Sequence, residues 1–150
     1  MSARNISFHT EDIDFVLPNK TDTRNWLVGI AGGYGLKIRS LVYIFCSDTY
    51  LHQLNVQYLD HDTLTDIITF DYNDEAGEGK VAGELYISLD RIRDNAKDHG
   101  ETAEREMARV MAHGLLHLCG LKDKTDQDAA KMRSAEEQAL LAWNLVKSNS

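Results

Sequence analysis

Apolar residues form short dense runs early in this chain and helically spaced stripes later on. Ile6-Ser7-Phe8 predicts a short strand. Leu41-Val42-Tyr43-Ile44-Phe45-Cys46 predicts a stronger one, apolar throughout and therefore buried on both faces. Residues 66–72 and 82–87 predict two more strands. In the last of these, period-two alternation sets Glu84 and Tyr86 opposite Leu85 and Ile87. A helix over 22–34 turns Trp26, Leu27, Ile30 and Ala31 inward and ends among Gly32, Gly33 and Gly35. Ser47 or Asp48 caps a second helix through Tyr50, Leu51, Leu54 and Tyr58. Residues 73–80 read as an acidic, glycine-containing loop, and helices follow over 90–99, 102–119 and 126–146. The order predicts an α+β layer fold in one domain of 150 residues: a small mixed four-stranded sheet with about five helices packed mainly on one side.

Composition narrows the setting. A 43% hydrophobic, 27% charged chain is long enough to bury a core, and its only proline, Pro18, marks no linker. The first twenty residues carry Glu11, Asp12 and Asp14 and lack the apolar core of a signal peptide, and no run is long enough to span a bilayer. Two cysteines, Cys46 and Cys119, are too few for a disulfide scaffold and read as small buried hydrophobes. A reducing cytoplasm is the expected setting. The net charge of −8 argues against nucleic-acid binding through the whole surface and leaves room for a local basic patch. Residues 51–79 contain no Lys or Arg, whereas Lys80, Arg91, Arg93, Lys97, Arg105 and Arg109 follow.

Chemistry concentrates in His113-Gly114-Leu115-Leu116-His117-Leu118-Cys119-Gly120-Leu121-Lys122-Asp123. Two histidines at i and i+4 point their imidazoles the same way from one helix face. Gly120 can end that helix in the left-handed conformation and return the chain, bringing Asp123 round as a third donor. Two imidazoles and a carboxylate form an open ligand set for catalytic zinc, with one position left for water. The buried face of Met107, Val110, Met111, Gly114, Leu115 and Leu118 would hold both histidines on a rigid element. Cys119 faces away from His117 on the helix and is excluded as a ligand. Gly114 stands where peptidases of the His-Glu-x-x-His type carry their general base, which disfavours proteolysis.

The segment from His113 to Gly120 resembles the HGxLHLxG signature of the YbeY-type rRNA-maturation endoribonucleases. Two further blocks resemble the same family in order and spacing. Leu54-Asn55-x-x-Tyr58 followed by Asp62-x-x-Thr65-Asp66-Ile67-Ile68-Thr69-Phe70 is similar to LNxxYR and DxPTDVLSF. Gly83-Glu84-Leu85-Tyr86-Ile87-Ser88 is similar to GDIxIS. The resemblance spans residues 42–143. It implies a cytoplasmic, zinc-dependent, single-strand-specific endoribonuclease that matures the 3′ end of small-subunit rRNA and serves ribosome quality control. Its partners would be rRNA and the small ribosomal subunit or its assembly factors. The expected metal ligands are His113, His117 and Asp123, with Asp66 and Glu84 near the site.

The chain departs from the family pattern in three places. Asp123 stands for a third histidine, Leu59 for an arginine thought to hold phosphate, and Leu64 for a proline. Arg91, Arg93, Arg105 and Arg109 are the cations available to compensate, and the sequence does not choose among them. His52 and His61 flank the second block and are left out of the expected site. Three competing readings remain open at this level. They are a zinc amidase or peptidase, a ribosome-associated binding factor with a structural metal, and an Fe(II) oxygenase using the same ligand set.

Overall fold

Strand β2, Lys37–Cys46, is the organising element. In the computed structural model, which describes residues 5–59 and 65–149, it pairs in parallel with β1, Ile6–Thr10, and with β4, Lys80–Ser88. Strand β3, Ile67–Asp71, closes the far edge antiparallel to β4, giving a mixed sheet in the order β1-β2-β4-β3. The remaining elements are α1 (Lys20–Gly32), α2 (Asp48–Leu59), α3 (Asn73–Ala76), α4 (Leu89–Asp98), α5 (Ala103–Leu118) and α6 (Asp126–Asn149).

The two faces of the sheet are covered unequally. Leu41, Tyr43, Phe45, Leu85 and Ile87 enter the main core with Trp26 and Leu27 of α1 and with Met111 and Leu115 of α5. On the other face Cys46, Ile68, Phe70 and Tyr86 meet Tyr50, Leu51 and Leu54 of α2. The expected α+β fold, with helices mainly on one side, is therefore the observed one. Its sheet is also the expected mixed, four-stranded one.

Three expectations change in detail. The segment 73–80 opens with the one-turn helix α3 rather than a plain loop, because Asp71 Oδ1 accepts from Asn73 N at 2.8 Å and Tyr72 O accepts from Ala76 N at 3.2 Å. This brings the helices among the described residues to six. Helix α1 starts at Lys20, two residues early, since Asn19 takes a left-handed turn (φ 55°) and accepts from Thr23 N. Strand β2 begins at Lys37, with an irregularity between Ile38 and Ser40 that lets its polar first half still pair with β4.

Glycines decide how closely α5 lies on the sheet. A methyl at Gly114 would overlap the Leu85 side chain and sit 2.8 Å from Ile67 Cδ1. A methyl at Gly83 would sit 2.8 Å from Leu118 Cδ1 and 2.9 Å from the Phe70 carbonyl. Only the missing side chains permit this approach. Two hydrogen bonds then fix the helix: buried Tyr43 Oη donates to Met111 O at 2.8 Å, and half-buried Asn73 Nδ2 donates to Leu118 O at 2.8 Å. Asn73 Oδ1 also accepts from Ala82 N at 2.9 Å, so one side chain joins the end of α5 to β4.

Candidate metal centre

Thr102 caps helix α5, its Oγ1 accepting from Arg105 N at 3.1 Å. It ends as the sequence suggests. Gly120 takes φ 107°, and Leu121 N returns to Leu116 O at 3.1 Å, reversing the chain. That reversal carries Asp123 back over the histidines. His113 Nε2 and His117 Nε2 each lie 3.5 Å from Asp123 Oδ2, and the two imidazole centroids are 4.9 Å apart. One donor atom from each of the three residues falls within 4.8 Å of the others.

The two 3.5 Å distances to Asp123 suit a shared metal ion. Tetrahedral zinc with bonds of about 2.0–2.2 Å to nitrogen and oxygen separates its ligand atoms by about 3.3–3.6 Å. The donors are also chemically appropriate, two imidazoles and one carboxylate with a face open to solvent. His113, His117 and Asp123 could therefore hold a divalent cation between them.

Behind His113 sits a residue that the sequence reading missed. Glu136 of α6 is buried, and its Oε2 lies 2.7 Å from His113 Nδ1. A carboxylate accepts from Nδ1, which leaves Nε2, on the Asp123 side, as the ring atom available to a metal. Burial pulls the His113 pKa down, but the Glu136 hydrogen bond and charge, with Asp123 and Asp66, outweigh it and leave the pKa raised. A sequence signal existed. Met132, Ala139 and Leu140 form the inner stripe of α6, and Glu136 is an acid within that stripe.

The histidines open into a polar cleft of about 650 Å³. Asp66 lines it, and burial raises the Asp66 carboxyl above the usual range against the opposing pull of His113. Asp66 also anchors the edge of the sheet, its carbonyl accepting from Ser88 N at 3.1 Å. Glu84 does not line the cleft, contrary to expectation. It shares the Tyr86 face of β4, away from α5, and its Oε1 accepts from Tyr72 Oη at 3.1 Å. Alternation along β4 separates two faces correctly but does not say which one a distant helix will cover.

The arginines separate clearly. Arg91 is held by Asp48 at 2.9 Å and by Asp94, while Arg93 lines a different, largely apolar pocket that Trp26 and Trp143 also line. Arg105 pairs with Glu101 at 3.2 Å. Arg109 alone among the four lines the histidine cleft. The side chain of Leu59, together with His61, Asp62 and Leu64, lies outside the described residues. Both cysteines are free, and burial pushes the Cys46 thiol up to about 12 and the Cys119 thiol up to about 11. Neither is a thiolate near neutral pH.

The family model described as endoribonuclease YbeY matches residues 6–144. The endoribonuclease YbeY of Cytophaga hutchinsonii is 47% identical over 140 residues, covering 93% of this chain and 96% of that protein. The Flavobacterium johnsoniae protein of the same name is 43% identical over 141 residues, covering 94% and 97%. A solution structure of a Thermotoga maritima protein superposes with a TM-score of 0.61 over 97% of this chain and 95% of that one. At 23% identity that likeness establishes the fold. With a family match running from β1 into α6 and relatives this close along almost their whole length, the chain belongs to the endoribonuclease YbeY family.

Proposed function

We propose that this chain is a zinc-dependent, single-strand-specific endoribonuclease, acting in the cytoplasm on the 3′ end of small-subunit rRNA and in ribosome quality control. The whole chain would work as one catalytic domain, with rRNA and the small subunit or its assembly factors as partners. The observation that carries the reading is the meeting of His113 Nε2 and His117 Nε2 on Asp123 Oδ2, both at 3.5 Å, in the cleft of a YbeY-family chain. Among the described residues no helix is long and apolar enough to cross a membrane.

His113, His117 and Asp123 would hold the ion. When bound, zinc supplies Lewis acidity towards a phosphoryl oxygen and acidifies water at its open position. The protein contributes orientation and proton handling. Glu136 fixes the His113 tautomer, so that Nε2 is the ligating atom without further rearrangement. Helix α5 keeps both imidazoles in register because Gly114 and Gly83 seat it against β4. Asp66, its carboxyl raised by burial, is suited to accept a proton as water is consumed and to release it to solvent. Gly114, which has no side chain to act as a base, agrees with a substrate other than a peptide.

Elemental analysis combined with cleavage of single-stranded and duplex RNA tests the proposal. The expected result is one zinc per chain and selective cleavage of the single strand, with both lost in Asp123→Ala. Full metal occupancy in His113→Ala would overturn the ligand assignment.

A further inference from the structure

We infer that Arg109 forms a phosphate-binding subsite beside the metal centre, where its guanidinium holds the backbone of the RNA to be cut. The inference rests on the endoribonuclease reading above and goes beyond it by assigning the residue that contacts substrate charge.

Placement comes first. Arg109 precedes His113 by one turn on α5, about 6 Å along the axis, and both residues line the same cleft. That cleft is otherwise acidic, with Asp66, Glu106, Asp123 and Glu136 on its walls. Arg109 is the only Arg or Lys among its described lining residues. A polyanion entering here meets one fixed arginine, which shares the cleft with the proposed ligands and sits one helical turn before His113.

Its bonding state is the second observation. Arg109 Nε is enclosed and has no hydrogen-bond partner. Its nearest acids are Glu106 Oε1, 3.6 Å from Nε, and Glu137 Oε1, 3.9 Å from Nη1, both too far for a hydrogen bond. Glu106 is itself buried, with Oε1 lacking a hydrogen-bond partner, and it also lies 3.5 Å from His99 Nδ1. The two carboxylates hold the guanidinium in place by charge without using its donors. Arg91, by contrast, donates directly to Asp48 at 2.9 Å. The Arg109 side chain stays 25% exposed, so its outer nitrogens can reach a phosphate in the bidentate geometry that a guanidinium favours.

The test measures binding of a short single-stranded RNA to the metal-free protein as a function of salt, alongside cleavage by the zinc-loaded protein. Arg109→Ala should weaken binding about 10- to 100-fold and reduce the slope of log affinity against log salt by about 0.7, one phosphate contact on a single strand. Arg109→Lys should keep the slope and recover only part of the affinity, since a point charge replaces a planar fork. Zinc content should be unchanged in both variants. A change of fold in Arg109→Ala would leave Arg109→Lys to decide, because a purely structural role would not preserve the slope while lowering the affinity. Parent-like affinity and slope in Arg109→Ala, with an active parent enzyme, would overturn the subsite and leave the endoribonuclease reading intact. A parent protein that neither binds nor cuts RNA would overturn both.

Discussion

Side chains at the candidate metal centre are set by neighbours distant in sequence, and Glu136 is the clearest case. Its carboxylate fixes His113 Nδ1 at 2.7 Å. Removing that acceptor frees the ring to rotate or to change tautomer. Glu136→Gln keeps the size and one acceptor but loses the charge, and should lower zinc affinity about 10- to 100-fold, read by competition with a chelating dye. Asp66 makes a prediction of opposite sign. Its folded pKa is raised, chiefly by burial, so the metal-free native state binds its proton more tightly than the unfolded chain does. The associated stability is fully present below the ordinary carboxylate pKa and is lost as pH rises through the folded value. At neutral pH the buried charge is therefore a cost. Asp66→Asn should raise the melting temperature of the metal-free protein at pH 7, with the gain shrinking towards acid pH, while RNA cleavage falls. An unchanged melting temperature at pH 7 would count against a buried, ionised Asp66. The His113–His117–Asp123 spacing was legible in the sequence because helical periodicity and a glycine stop are local. Glu136 was not, because its partner depends on α6 lying against α5.

Among the elements, α5 does most to define the site, and its glycines are where sequence and packing meet. Gly120 holds φ 107°, a conformation that costs an ordinary residue about 1–2 kcal/mol. Gly120→Ala should lower stability by about that amount and lower zinc affinity further, since Asp123 depends on the reversal. Gly114 is constrained by space rather than by dihedral angle. Adding a methyl against Leu85 and Ile67 should cost about 1–3 kcal/mol as α5 shifts outward, measured by urea denaturation of Gly114→Ala. The strands, the long helices and the one-sided packing were readable because alternation and helical stripes are direct records of burial. The face taken by Glu84 was not, since a strand's two faces are equivalent until α2 and α5 choose between them. Helix α3 escaped notice because four residues give no periodicity, and its start rests on the Asp71 side chain.

For the molecule as a whole, metal binding and fold stability should be linked. The proposed ligands come from α5 and the turn after it, and Glu136 ties them to α6, so the unfolded chain cannot present the same set. A ligand that binds only the native state adds about 2.7–4.1 kcal/mol at 100 to 1,000 times its dissociation constant. For a chain of this length each kcal/mol moves the melting temperature by about 2–4 °C. Zinc loading should therefore raise the midpoint by about 5–15 °C, and chelation should return it to the metal-free value. In Asp123→Ala the metal-free midpoint should stay close to that of the parent, because Asp123 is an exposed residue of a turn, while the zinc increment should largely vanish. An equal zinc increment in the parent and in Asp123→Ala would show that the stabilising ion binds elsewhere. The same measurement with Arg109→Ala should retain the full increment, since that residue is assigned to the RNA and not to the metal. Melting curves of the three proteins, with and without zinc, thus test whether Asp123, and not Arg109, contributes to holding the ion.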